Sequence, residues 1–358
     1  MKIAFKHNKR RSDKLFKRKI KSKAKKKTLN RFYASISADN RSIHRRHKFQ
    51  IEKQEFTTVL APDNFSFVNN TLEIVQFIDT LSKLFDQRKR VFIDMKNVSN
   101  LSFDALVVLL SIMVNFKTHR IGFNGNFPKS KAAKDLLLES GFFHYLYKEL
   151  NLKDRYNLNE KNRIHTHAWK DVDSPLGAKI IGEASETIWG EPKRCQGVQR
   201  AFLELMQNTN NHASKEKEGE KHWWLSVTHV VEERKVAFSF VDFGIGIFAS
   251  LNNKTSKSKF FNWAEKLKKA FTFRDNADLL KLILDGELHK TVTNKHFRGK
   301  GLPGLQTLMK RNQISNLYIV TNDVKADVKN DSYKTLNGNF NGTFVYWELN
   351  YSNQYCDD

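Results

Sequence analysis

ELMQNTNNHA, residues 204–213, carries Glu204, Asn208 and His212 four residues apart. In a helix that spacing stacks a carboxylate, a carboxamide and an imidazole on one face, each a turn from the next. The surrounding segment, 193–213, has the apolar periodicity of a helix. Such a face can be a solvated polar stripe. Turned into a cleft, it can instead work on a phosphorylated ligand. The Asn208 carbonyl oxygen can hold Mg2+, Glu204 can take a proton from an attacking hydroxyl, and His212 can steady phosphate oxygens. The choice between the two readings depends on what else the chain brings to that face.

Three further pieces follow in order. VDFGIGI ends an apolar strand with Asp242, Gly244 and Gly246. The glycines let the backbone turn sharply and approach a flat base, and an acid at a strand end can accept from an exocyclic amine. HFRGKGLPGL (296–305) then contains a literal G-x-G-x-x-G in Gly299, Gly301 and Gly304. As a dinucleotide fingerprint it fails, because the preceding HKTVTNKHF is polar where a buried strand is required. Asp323 lies near the ribose-binding distance, but fewer than 40 residues follow it, too few to complete a doubly wound sheet. As a phosphate loop the stretch makes better sense. Arg298 and Lys300 bring positive charge, and the amides opening the next helix face an anion. Lastly, NGTFVYW puts Gly342 and Thr343 at the start of a late strand. The D-F-G triplet is not that of a eukaryotic protein kinase, since no H-R-D loop precedes it and no glycine-rich loop opens the chain.

Composition bounds the setting. A length of 358 residues suggests two domains and a tail, and 28 Phe suffice to fill real cores. The longest apolar run, ALVVLLSIMV (105–114), is about half of a bilayer span and reads as a buried helix. No apolar segment backs the basic N-terminus as a secretory signal would require. Cys195 and Cys356 offer neither a disulfide framework nor metal-ligand spacing, which fits a reducing, cytoplasmic location. The net charge of +24 is concentrated in residues 1–48, where 19 Lys and Arg face only Asp13 and Asp39. Such a segment repels itself and is expected to be a disordered tail. Its expected partner is nucleic acid, bound without sequence preference and released by salt. A purely solubilising role and an acidic membrane surface are the alternatives.

Between about 50 and 150, strands and helices alternate. Residues 56–67 read as strand and turn, 70–87 as an amphipathic helix, VFIDM (91–95) as a buried strand, and 102–116 as a helix apolar nearly all round. HRIGFNG reads as another strand and 130–146 as a helix stopped by Gly141. The polar segment 151–175 reads as linker, with His165 and His167 as solvated loop residues. From 176 to 352 the pattern is helices at 177–189 and 193–213, then a hairpin of 223–231 and 235–241 turned by EER. A long polar excursion to about 298 follows, then a helix at 302–312 and strands at 317–321 and 343–349. The fold class is α/β: a small α/β domain followed by a two-layer sandwich.

The order Glu204–Asn208–His212, Asp242-x-Gly244-x-Gly246, Gly299-x-Gly301-Leu302, Gly342-Thr343 resembles the Bergerat-fold (GHKL, histidine-kinase-like) ATP-binding superfamily over roughly 176–352. That resemblance implies Mg2+ at Asn208, adenine against Asp242, a lid over about 247–298, and Gly299, Gly301 and Gly304 shaping the lid's hinge. Sensor histidine kinases typically carry Asn where this chain has Glu204, and no phosphoacceptor-histidine helix is present. A serine hydroxyl or water benefits from a base, so Glu204 favours ATP hydrolysis or a serine kinase similar to the anti-sigma-factor kinases.

Residues 55–148 in turn resemble STAS domains, the anti-sigma-factor antagonist fold that those kinases phosphorylate. Where that fold has its acceptor Ser or Thr, this chain has Asp104. Asp104 could mimic the phosphorylated state or cap the helix, and Ser102 is a remote substitute acceptor. The two resemblances imply a Mg2+/ATP-dependent regulatory protein, an ATPase with its own STAS-like partner module. The alternatives are a serine/threonine kinase acting on a separate protein, and a nucleotide-gated binding module with negligible turnover. A change in packing between the modules, or between two copies in a homodimer, would be the output.

Overall fold

The most apolar helix among the described residues lies between two sheets. A computed structural model describes residues 56–147, 163–168, 174–212, 222–242, 247, 275–286 and 301–353; for 163–168, 208–212, 222 and 301 it describes the backbone alone. The tail 1–48 and the glycine segments 243–246 and 298–300 lie outside these residues.

The first module alternates strand and helix. Strands β1 (Thr57–Leu60), β3 (Val91–Asp94) and β5 (Phe123–Gly125) form a parallel sheet in that order. Helices α1 (Thr71–Asp86) and α2 (Phe103–Thr118) make the crossovers. The short strands β2 (Asn64–Phe65) and β4 (Asn100–Leu101) pair beside them. Helices α3 (Lys131–Glu139) and α4 (Phe142–Leu146) divide at Gly141, whose φ of 81° is a left-handed conformation that glycine adopts without strain.

The second module is built on an antiparallel five-stranded sheet, β6 (Arg163–Ala168), β7 (His222–Val230), β8 (Lys235–Asp242), β10 (Ser332–Asn350) and β9 (Ser315–Asp327), in that spatial order. Side chains alternate between its faces. Trp223, Leu225 and Val227 of β7, Phe238 and Phe240 of β8, and Val345, Trp347 and Leu349 of β10 join one core. That core is closed by α5 (Ser174–Trp189), α6 (Gln196–His212), α7 (Asn276–Leu284) and α8 (Gly301–Lys310).

The opposite face of this sheet contributes Trp224, Val241, Val320, Phe340 and Phe344 to the core of the first module. Here α1 lies against β10, and α2 against β7 and β8. Phe67 joins the two modules, with ring centroids 4.3 Å from Phe344 and 5.4 Å from Phe340. The molecule is thus layered as small sheet, α1 and α2, large sheet, α5 to α8. A helix with a sheet on either side has no face left for water, which is why α2 runs Ala105-Leu106-Val107-Val108-Leu109-Leu110 without a break, every one of them buried.

Two segments depart from the sequence reading. RIHTHA (163–168), taken as linker with His165 and His167 in a loop, is the edge strand β6 paired with β7. Its polar composition suits an edge. The excursion taken as a lid contains α7, whose Leu280 and Leu284 are 0% and 1% exposed against β9 and β10. This part of the region is core.

Strand β9 changes faces midway. Leu317 and Ile319 point into the helix-side core, and after a register shift Val324 and Ala326 do so instead. The irregularity sits at Asn322, with a left-handed φ of 49°, as a β-bulge requires. Asp323, just beyond it, accepts from the Asn276 side-chain amide at 2.8 Å and ties α7 to the strand.

Candidate functional site

Helix α6 is fixed to the sheet by Phe202, whose ring meets Trp223 at 6.0 Å, Phe240 at 6.2 Å and Trp347 at 6.4 Å. Val198, Ala201, Leu205 and Met206 complete its buried stripe. Glu204 lies at the margin of that stripe. Its Oε1 accepts from Arg200 Nε at 3.2 Å, one turn earlier. Its Oε2 is buried with no hydrogen-bond partner among the described residues. A buried carboxylate oxygen without a donor is costly, so this one calls for a water, an ion or a ligand beside it. Positions 208 and 212 continue the same helix one and two turns further on.

Sheet register assembles the other components. Asp242, the last residue of β8, stands opposite Trp223 on one side and Thr343 of β10 on the other. Thr343 is in turn opposite Thr321 of β9. Residues directly opposite in an antiparallel pair point to the same face. Trp223 belongs to the helix-side core, so Asp242, Thr343 and Thr321 face the side that α6 covers. Thr321 Oγ1 donates to the Gly342 carbonyl at 2.9 Å and accepts from the Ile247 amide at 3.1 Å. The backbone leaving β8 at Asp242 has therefore crossed the end of β10 by residue 247.

Helix α8 enters from the same side and packs on α6. Gly301 is its first residue and Gly304 lies in its first turn, so both are helical. A Cβ added at Gly304 would meet nothing within 4 Å among the described residues. Glu204, Asp242, Gly301, Gly304 and Thr343 thus belong to elements sharing one side of the sheet. The side chains of Asn208 and His212, and the whole of Gly244, Gly246, Arg298, Gly299 and Lys300, lie outside the described residues. Among the described residues no three His, Cys, Asp or Glu side chains group as a metal site. Thr321 is fully buried and its hydroxyl is already engaged. Asp242 and Thr343 at the sheet end and Glu204 on α6 are then the oxygen donors offered to a ligand, a set whose chemistry suits a magnesium-bound nucleotide.

Two site residues are not among those the sequence reading singled out. Thr321 is a lone threonine after LYIV, and only strand pairing reveals that it meets Thr343. Arg200 had a legible signal, since it precedes Glu204 by four residues, the spacing of a helical ion pair.

Asp104 has a definite role in the structure. It is 7% exposed and accepts from Ser66 Oγ at 3.2 Å, the Phe67 amide at 3.1 Å, the Val68 amide at 3.1 Å, and the Ser102 hydroxyl. It caps no amide of its own helix. It fastens the loop that leads into α1. Lys325, turned to this face by the β9 bulge, donates to the Val68 carbonyl at 3.0 Å and Thr71 Oγ1 at 2.8 Å on the same loop. Burial holds the Lys325 ammonium below the usual lysine range, and Asp327 and Asp104 partly offset it. Ser102 and Asp104 stand on the face of the large sheet opposite α6.

No family model matches the chain, and neither a curated protein nor a solved structure matches it.

Proposed function

We propose that the helix-covered end of the large sheet binds Mg2+-ATP in a Bergerat-type site, and that the chain is an ATP-dependent regulatory protein with a STAS-like module. The observation that carries this reading is the alignment of Asp242, Thr343 and Thr321 across three strands, on the sheet face that α5 to α8 cover. Mg2+-ATP supplies the phosphoryl group and a charge that oxygen and nitrogen donors can orient. Asp242, half-buried at the strand end, accepts a hydrogen bond from the adenine amine. Asn208 offers a neutral oxygen to Mg2+. Glu204, with Oε2 unmatched, accepts the proton of an attacking water or hydroxyl.

The placement of Ser102 and Asp104 favours hydrolysis over transfer within the chain. A sheet separates them from Glu204, and both are already engaged by the loop at 65–68. Neither residue is therefore placed to accept a phosphoryl group from this site. Calorimetry with Mg2+-ATP tests the reading. Saturable binding to the full chain is expected, at least about tenfold weaker in Asp242→Asn, which loses a charge-assisted hydrogen bond. Binding absent at millimolar nucleotide, or unchanged in that variant, refutes it. Glu204→Gln should retain binding and lose turnover by at least about a hundredfold.

A further inference from the structure

A cavity of about 440 Å³ opens between α5 and α6, beside the first turns of α6. Its volume is that of a small-ligand site. Three cations line it, Lys193, Arg194 and Arg200, with the amides of Gln196 and Gln199 between them and no acid among the described lining residues. Ile181 and Leu203 supply an apolar floor. Two of the cations have carboxylate partners outside the cavity, Lys193 with Glu191 at 2.7 Å and Arg200 with Glu204 at 3.2 Å. Arg194 is exposed and has no ion-pair partner among the described residues.

We propose that this cavity binds an organic phosphate, its dianion held by Arg194 and Arg200 and its carbon portion on the apolar floor. Guanidinium groups present forked donors that match phosphate oxygens, and side-chain amides add neutral donors. A carboxylate would engage fewer of these groups, and a neutral ligand would leave the charge unanswered. The cavity also adjoins the candidate base. Arg200 serves both, so a phosphate that draws its guanidinium inward takes a hydrogen bond from Glu204 Oε1. The existence of the site is independent of the nucleotide reading; its effect on Glu204 as a base rests on that reading.

The test is a 31P NMR titration of the full chain with inorganic phosphate and with phenyl phosphate. Saturable binding is expected, tighter for phenyl phosphate, because the ring covers apolar surface. Arg194→Gln together with Arg200→Gln should weaken both by at least about tenfold. These variants keep the basic segment 1–48, so equal binding in wild type and double variant assigns the phosphate to that segment and overturns the proposal. Absence of saturable binding overturns it as well. Phosphate held in the nucleotide site instead would likewise bind equally in the double variant, and that result overturns the proposal too. Glu204→Gln removes the competitor for Arg200 and should tighten phosphate a few-fold, as expected for an exposed ion pair. Unchanged affinity in that variant overturns the competition.

Discussion

Replacing Asp104 by Ala tests whether this buried carboxylate holds the modules together or merely decorates a helix start. The substitution removes the acceptor for Ser66 Oγ, the Phe67 and Val68 amides, and the Ser102 hydroxyl. The first two bonds are buried and the others partly so. An unmade buried donor costs about 1–3 kcal/mol, and water can relieve the partly buried ones. The sum expected is about 3–5 kcal/mol, since Phe67 and Ser66 are both within 1% of full burial. A helix cap alone would be worth about 1 kcal/mol. Urea denaturation of wild type, Asp104→Ala and Asp104→Asn distinguishes the two. Asn keeps one acceptor oxygen and should recover part of the loss. A loss under about 1 kcal/mol in Asp104→Ala would refute the latch and return the residue to a capping role.

Phe344→Ala should destabilise by about 3–5 kcal/mol, because a fully buried ring packed on Phe67 leaves a cavity between the modules; chemical denaturation measures it. Stability should fall as pH rises above about 10. Burial raises Tyr147, Tyr318, Tyr333 and Tyr346, with Tyr333 pushed up to about 12. The unfolded chain releases these protons first, so their contribution is intact below the unfolded value and lost through the folded one. Lys325 acts oppositely: its lowered value makes the folded state shed a proton early, so stability gains between that value and about 10.5. The tyrosines prevail in number, and thermal unfolding against pH with phenolate absorbance would reveal an upturn if they did not. Deleting residues 1–48 should abolish salt-sensitive binding to nucleic acid, judged by fluorescence anisotropy across a salt series; retention of that binding would discard the assignment.

Local pattern made some elements legible. The unbroken apolar run of α2 announced a helix covered on both sides, and the alternation of WWLSVTHV and KVAFSFVD announced a hairpin. What escaped lacks a local signature. RIHTHA joins the sheet through backbone pairing at an edge, where side chains need not be apolar. Helix α7 is the exception: Asp275 caps its start and Ala277, Leu279, Leu280, Ile283 and Leu284 are buried, a readable pattern set between polar flanks. Strands β9 and β10 run past their apolar centres as a long hairpin, across a bulge that reverses the alternation on which strand recognition depends. At the candidate site, spacing along α6 was readable, since helical neighbours are sequence neighbours. The meeting of Asp242, Thr343 and Thr321 was not. It depends on register among strands separated by scores of residues.

The sheath of sheets around α2 binds the fate of each half of the molecule to that of its neighbour. Cutting the chain between residues 147 and 174 would bare one hydrophobic wall on each product, the rings of Phe340 and Phe344 on one and that of Phe67 on the other. Fragments of that kind coagulate more readily than they fold. Heat or denaturant should therefore melt the protein as a single block, and any signal that parts the halves must supply a substitute surface for both.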